Sequence, residues 1–148
     1  MDSLLTILPN CKRAGLFRSA IAGDEIVAAA KTAGLQAYKI DLGKARSKAQ
    51  LLDAFAKALN FPEQFGKNWD ALNDCLSDLE WLDGKGLVVI LANCQAFATS
   101  HEADFATLLD LLEGVTVSSK EDGKPFWVFV QKQSGWSADL PEIQLRAE

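Results

Sequence analysis

Two apolar runs constrain the fold more than anything else in the sequence: LVVILA at 87–92 and FWVFV at 126–130. Neither alternates apolar with polar residues: the first reads as a strand buried on both faces, the pattern of a parallel sheet covered by helices, and the second as a further strand. The segment between them places Phe105, Leu108, Leu109 and Leu112 on one helical stripe, which is the crossover that two parallel strands require. A third strand is predicted at 35–42, LQAYKIDL, where Tyr38, Ile40 and Leu42 alternate with polar neighbours. Strands alternating with helices at these lengths give an α/β class: three parallel strands, joined by right-handed crossovers, with helices packed on them.

Local signals place the helices. Asp24 is positioned to cap a helix through EIVAAAKTA that stops at Gly34. Ser47 and Gln50 have capping-box spacing ahead of Leu51, Leu52, Phe55, Ala58 and Leu59, and Asn60 with Pro62 supplies the stop. Asn68 is a good N-cap for a helix running to about Leu82, after which Gly84 and Gly86 lead into the 87–92 strand. Thr99 and Glu102 form a second capping box for a helix closed near Gly114, followed by a polar loop, SSKEDGKP. GLFRSAI, within residues 1–23, is compatible with a short strand, and the tail beyond 130 shows no period.

A chain of 148 residues without internal repeats fits one domain with a substantial core. Cys11, Cys75 and Cys94 are an odd number without C-x-x-C or histidine-partnered spacing. That argues against a disulfide framework or zinc site and for three core thiols in a reducing compartment. MDSLLTILPNCKR has no basic residue ahead of its short apolar run, so it does not read as a signal peptide. The six apolar residues at 87–92 fall far short of the ~18 needed to span a membrane. The expectation is a soluble cytoplasmic protein.

Charge is distributed unevenly. Residues 60–83 carry six acids (Glu63, Asp70, Asp74, Asp78, Glu80, Asp83) against one base, Lys67, whereas residues 1–59 hold nine bases and five acids. An acidic centre of this kind repels nucleic acid and attracts cationic partners. At 100° per residue, Leu72, Leu76 and Leu79 fill one side of the helix after Asn68, with Trp69 and Cys75 at its margins. Asp70, Asn73, Asp74, Ser77 and Asp78 fill the other. Aspartates stacked at i, i+4, i+8 repel by a few tenths of a kcal/mol each, so helix stability alone does not select them. Asp70 in the first turn also favours the helix dipole, but Asp74 lies too far along for that.

The run FPEQFGKNWDALNDCL, residues 61–76, resembles the signature of the barstar family, the intracellular inhibitors of barnase-type ribonucleases. The matching positions are Pro62, Phe65, Gly66, Asn68, Asp70-Ala71-Leu72 and Asp74-Cys75-Leu76. The resemblance implies a small three-stranded parallel sheet in the order 1-2-3 and a helix that plugs a ribonuclease active site. It further implies a barstar-like domain over 35–131, with residues 1–34 as an extension packed on it and 132–148 as a tail. The implied partner-binding residues are Gln64, Phe65, Gly66, Asn68, Trp69, Asp70, Asn73 and Asp74, with Glu113 on the following helix. The sequence departs from the pattern at four of its positions. Gln64 and Asn73 stand where the family carries aromatic contacts, Lys67 replaces an acid, and Trp69 replaces an aliphatic contact, which points to a ribonuclease of different surface or to weaker binding.

The resulting expectation is a monomeric inhibitor, not an enzyme, that blocks a basic extracellular-type or toxin ribonuclease and contacts neither nucleic acid nor membrane. An alternative is a barstar-like module binding a basic non-nuclease partner, which the acidic face would serve equally well. Catalysis by Asp70 and Asp74 as paired carboxylates or metal ligands is disfavoured. The chain has no glycine-rich phosphate loop, no nucleophile motif and a single histidine, His101. No cofactor or metal is expected.

Overall fold

The computed structural model describes residues 3–61, 68–77, 86–133 and 135–143. In chain order these form α1 (Leu4–Ile7), a 3-10 turn (Cys11–Arg13), β1 (Leu16–Ser19), α2 (Gly23–Thr32), β2 (Gln36–Asp41), α3 (Lys48–Leu59) and α4 (Trp69–Ser77). They continue with β3 (Leu87–Ala92), α5 (Gln95–Ser100), α6 (Glu102–Glu121) and β4 (Phe126–Gln131). The strands make one parallel sheet in the order β1-β4-β3-β2.

This corrects the expected three-stranded sheet of order 1-2-3. The three predicted strands are neighbours as β2, β3 and β4, but β1 adds a fourth along β4, with Leu16 opposite Val128 and Ser19 opposite Gln131. Four residues, two of them only half-buried, are too few to register as a period. The tail then extends the pairing beyond β1. The Arg18 N–H donates to the Pro141 carbonyl at 2.9 Å, and the Ile143 N–H donates to the Arg18 carbonyl at 3.1 Å. Pairing of this kind covers an edge that would otherwise be open. Glu142 accepts from Lys132 and lies 3.6 Å from Arg18 Nε, which holds its carboxyl below the usual range, mainly through the Lys132 hydrogen bond.

Side chains alternate across the two central strands, as the pleat demands. Leu87, Val89, Leu91, Phe126, Val128 and Val130 face one core with Leu51, Leu52, Phe55, Leu72, Leu76, Leu108 and Leu112. Val88, Ile90, Trp127 and Phe129 face a second core with Leu4, Ile7, Leu8, Ile26 and Ala30. The first core therefore lies under α3, α4 and α6, the second under α1 and α2. Trp127 anchors the second: its indole N–H donates to the Leu8 carbonyl at 2.8 Å, and its ring stacks on Phe129 at 5.6 Å.

Several local expectations hold and others shift. Ser47 caps α3 by accepting from the Gln50 N–H at 3.2 Å, while the Gln50 side chain accepts from the Arg46 N–H at 2.6 Å, one residue earlier than a capping box predicts. Asn60 ends α3 in the left-handed region at φ 56°. Asp24 is not the cap of α2; Ala22 holds that position and Asp24 sits in the first turn. Thr99 is also not a cap. It lies inside α5 and its hydroxyl turns back to the Gln95 carbonyl at 2.7 Å, so α6 starts after His101 instead. That helix runs straight through Gly114 to Glu121, because Val115, Thr116 and Ser119 beyond the glycine are buried, and packing outweighs the ~1 kcal/mol propensity cost. Of the three expected core thiols only Cys94 is buried; Cys11 and Cys75 are half-exposed. Among the described residues no helix is long and apolar enough to cross a membrane.

Candidate functional site, the outward face of helix α4

Helix α4 begins at a side-chain cap. Asn68 Oδ1 accepts from the Ala71 N–H at 2.7 Å and the Asn68 carbonyl accepts from the Leu72 N–H at 3.0 Å, satisfying donors that the first turn otherwise leaves unpaired. Leu72 and Leu76, 0% and 1% exposed, bury the inner stripe, and the helix packs against α6. Anchoring both of these positions fixes the rotation of the helix. Asn68, Asp70, Asn73, Asp74 and Ser77 consequently stand exposed, with Ala71, Trp69 and Cys75 half-buried at the margins. Asp70 and Asp74 lie one turn apart, the spacing at which side chains are neighbours on a helix surface.

Trp69 packs against the first core by one side, and Lys48 places its ammonium 5.9 Å from the centre of the indole ring. Lys48 is the first residue of α3, so the start of α3 and the start of α4 meet at this contact. Sequence spacing contains no trace of a pairing between residues 48 and 69. Glu113 is exposed on α6, the helix that α4 packs against. The structure thus presents Asn68, Trp69, Asp70, Asn73, Asp74 and Glu113 on one helix pair. Gln64, Phe65 and Gly66 lie outside the described residues, as does the expected continuation of α4 from residue 78 to Leu82.

The arrangement offers carboxylate and amide acceptors on a fixed helix, which suits hydrogen bonding to a cationic surface. Among the described residues no three of His, Cys, Asp or Glu cluster so as to hold a metal ion. His101 is half-buried, with its ring 4.8 Å from that of Phe97. A cavity of about 490 Å³ opens elsewhere, beyond the carboxyl ends of β2, β3 and β4, lined by Gly43, Asn93, Gln95, Thr99 and Gln133 among others. None of the predicted residues lines it. At its rim Asp41 accepts from the Gly43 N–H at 2.8 Å and from Asn93 Nδ2 at 3.0 Å, and these bonds hold its carboxyl below the usual range.

Known proteins match in two ways. The chain is similar in fold to "Structure of the Aeropyrum Pernix ORC2 protein (ADPNP-ADP complexes)", with a TM-score of 0.54 and 19% identity, over 86% of this chain and 39% of that one. The chain thus spans well under half of that protein. No curated protein matches the chain. The family described as Barstar (barnase inhibitor) matches residues 35–131, from the residue before β2 to the end of β4 and including α4. By that match the chain belongs to the barstar family.

Proposed function

We propose that this chain is a protein inhibitor that occupies the active site of a basic ribonuclease with the outward face of α4 and the segment preceding it. The observation that carries this is the exposure of Asp70 and Asp74 on a helix whose rotation is fixed by Leu72 and Leu76, within the region matched by the barstar family. A ribonuclease binds phosphates, so its cleft presents cationic and hydrogen-bond-donating side chains. Carboxylates held rigidly at phosphate positions take those partners without paying much ordering entropy. Asn68 and Asn73 add neutral acceptors and donors around them. The protein acts in the cytoplasm by occupancy, with no chemistry of its own, and contacts the enzyme rather than its RNA.

The test is titration against barnase and a panel of other basic ribonucleases. Asp74→Ala should weaken binding to a ribonuclease in the panel by about 2 kcal/mol or more, the size common for interface anchors in general, with no change in the thermal midpoint. Added salt should slow association, because steering between opposite charges is screened. Unchanged affinity in Asp74→Ala, or co-purification with a basic protein that has no nuclease activity, would overturn the proposal.

A further inference from the structure

The acidic face around α4 carries a fixed cation at its border. Lys48 is exposed and pairs with no carboxylate among the described residues; its ammonium lies 5.9 Å from the Trp69 ring centre. Trp69 directly precedes Asp70. Any partner that covers Trp69 and Asp70 must therefore also meet Lys48.

Two physical costs attend this placement. Lys48 is the first helical residue of α3, whose first turn holds no acid, so its charge sits at the positive end of the helix dipole. It also stands on the border of a surface that approaches a cationic partner, where it opposes long-range attraction. Neither cost is repaid by an ion pair within the described residues. The partial return is the cation–π contact, which orders the ammonium over the indole instead of leaving it free in solvent. A charge held in one place and then covered is favourable only if the partner supplies an acceptor there, because a desolvated, unpaired cation is penalised.

We propose that Lys48 is a specificity-determining residue of this interface, contacted by a carboxylate of the partner that borders its basic cleft. The fitting partner is thus a basic ribonuclease with an acidic residue on the cleft rim, and basic ribonucleases lacking that acid are selected against. This inference rests on the function proposed above, and the experiment separates the two.

Association and dissociation rates are measured for the parent chain, Lys48→Gln and Asp74→Ala against barnase and the same panel, together with thermal midpoints. For the ribonuclease bound most tightly, Lys48→Gln should lose about tenfold in affinity, through faster dissociation, while its association rate is unchanged or slightly faster. Its midpoint should be equal or higher, since a cation leaves the helix start. Opposite signs for stability and affinity are a signature that a merely structural lysine does not produce. Equal or tighter binding by Lys48→Gln, with Asp74→Ala still weakened, overturns the Lys48 assignment and leaves the inhibitor function standing. Insensitivity to both substitutions, or binding to no member of the panel, overturns the function and this inference with it.

Discussion

Asp41 illustrates how one residue ties two strand ends together. Its two carboxylate oxygens take the Gly43 N–H and the Asn93 amide, joining the exit of β2 to that of β3, where Asn93 adopts a left-handed conformation at φ 56°. Hydrogen bonds to the ionised form lower the folded-state value below that of the unfolded chain, about 4. The stabilisation from Asp41 is therefore fully present above pH ~4 and is lost as the pH falls through the lower folded value. Asp41→Asn should destabilise the protein at pH 6, and the gap between parent and variant in urea midpoint should shrink on going to pH 3. Because Asp41 is exposed, solvent screens the effect and the gap will be modest; a gap that stays constant or widens in acid would contradict it. Cys94, next in sequence to Asn93, shows the opposite environment: burial pushes its thiol up to about 12, so it behaves as a core side chain rather than a nucleophile. Such differences between neighbours arise from tertiary placement, and composition does not announce them.

At the level of elements, legibility followed the range of the interaction. The face of α4 was readable because its determinants lie within nine residues: Asn68 caps it, Leu72 and Leu76 anchor it, and Asp70 and Asp74 repeat at one turn. The strands β3 and β4 were readable as uninterrupted apolar runs. The Lys48–Trp69 contact was not, since it depends on how two helix starts are brought together by the sheet. The start and end of α6 were misplaced for a related reason. Thr99 satisfies its hydroxyl within α5, which is how threonine competes with capping, and Gly114 looked like a stop because propensity was weighed without the burial of Val115, Thr116 and Ser119. The helix interior at Gly114 can therefore be improved. A Cβ built there meets nothing within 4 Å, and the residue does not have positive φ. Gly114→Ala should thus stabilise the protein by about 0.5–1 kcal/mol, by removing backbone freedom from the unfolded chain. Chemical denaturation measures this directly, and a lower midpoint would mean that the free fold itself needs the glycine. Weaker binding by the same variant without a lower midpoint would instead mean that the glycine serves the complex, next to Glu113.

For the whole molecule, the family match and the sheet have different boundaries. The match begins at residue 35, but the second face of the sheet is covered from residues before it: Leu4, Ile7, Leu8, Ile26 and Ala30 lie over Val88, Ile90, Trp127 and Phe129. Those four sheet residues are 0% exposed, and each large apolar side chain returned to water forfeits roughly 1.5–3 kcal/mol. The sum is comparable to the ~5–15 kcal/mol by which a domain of this size is stable. Trp127 would also lose the Leu8 carbonyl that its buried indole N–H requires, and β4 would gain an open edge where β1 had paired. The sequence pattern of β3 already implied two covered faces, yet it did not say what covers the second, since α1 and the 3-10 turn are too short to carry a period. A chain beginning at residue 35 should therefore lose cooperative unfolding, bind a hydrophobic dye and self-associate, although it retains every residue of the α4 face. If it shows a sharp thermal transition and no more self-association than the parent chain, the first 34 residues are dispensable to the fold and their packing must serve another purpose. If it binds a ribonuclease despite a broadened transition, the α4 face forms independently of the second core, which would locate inhibition in the first core alone.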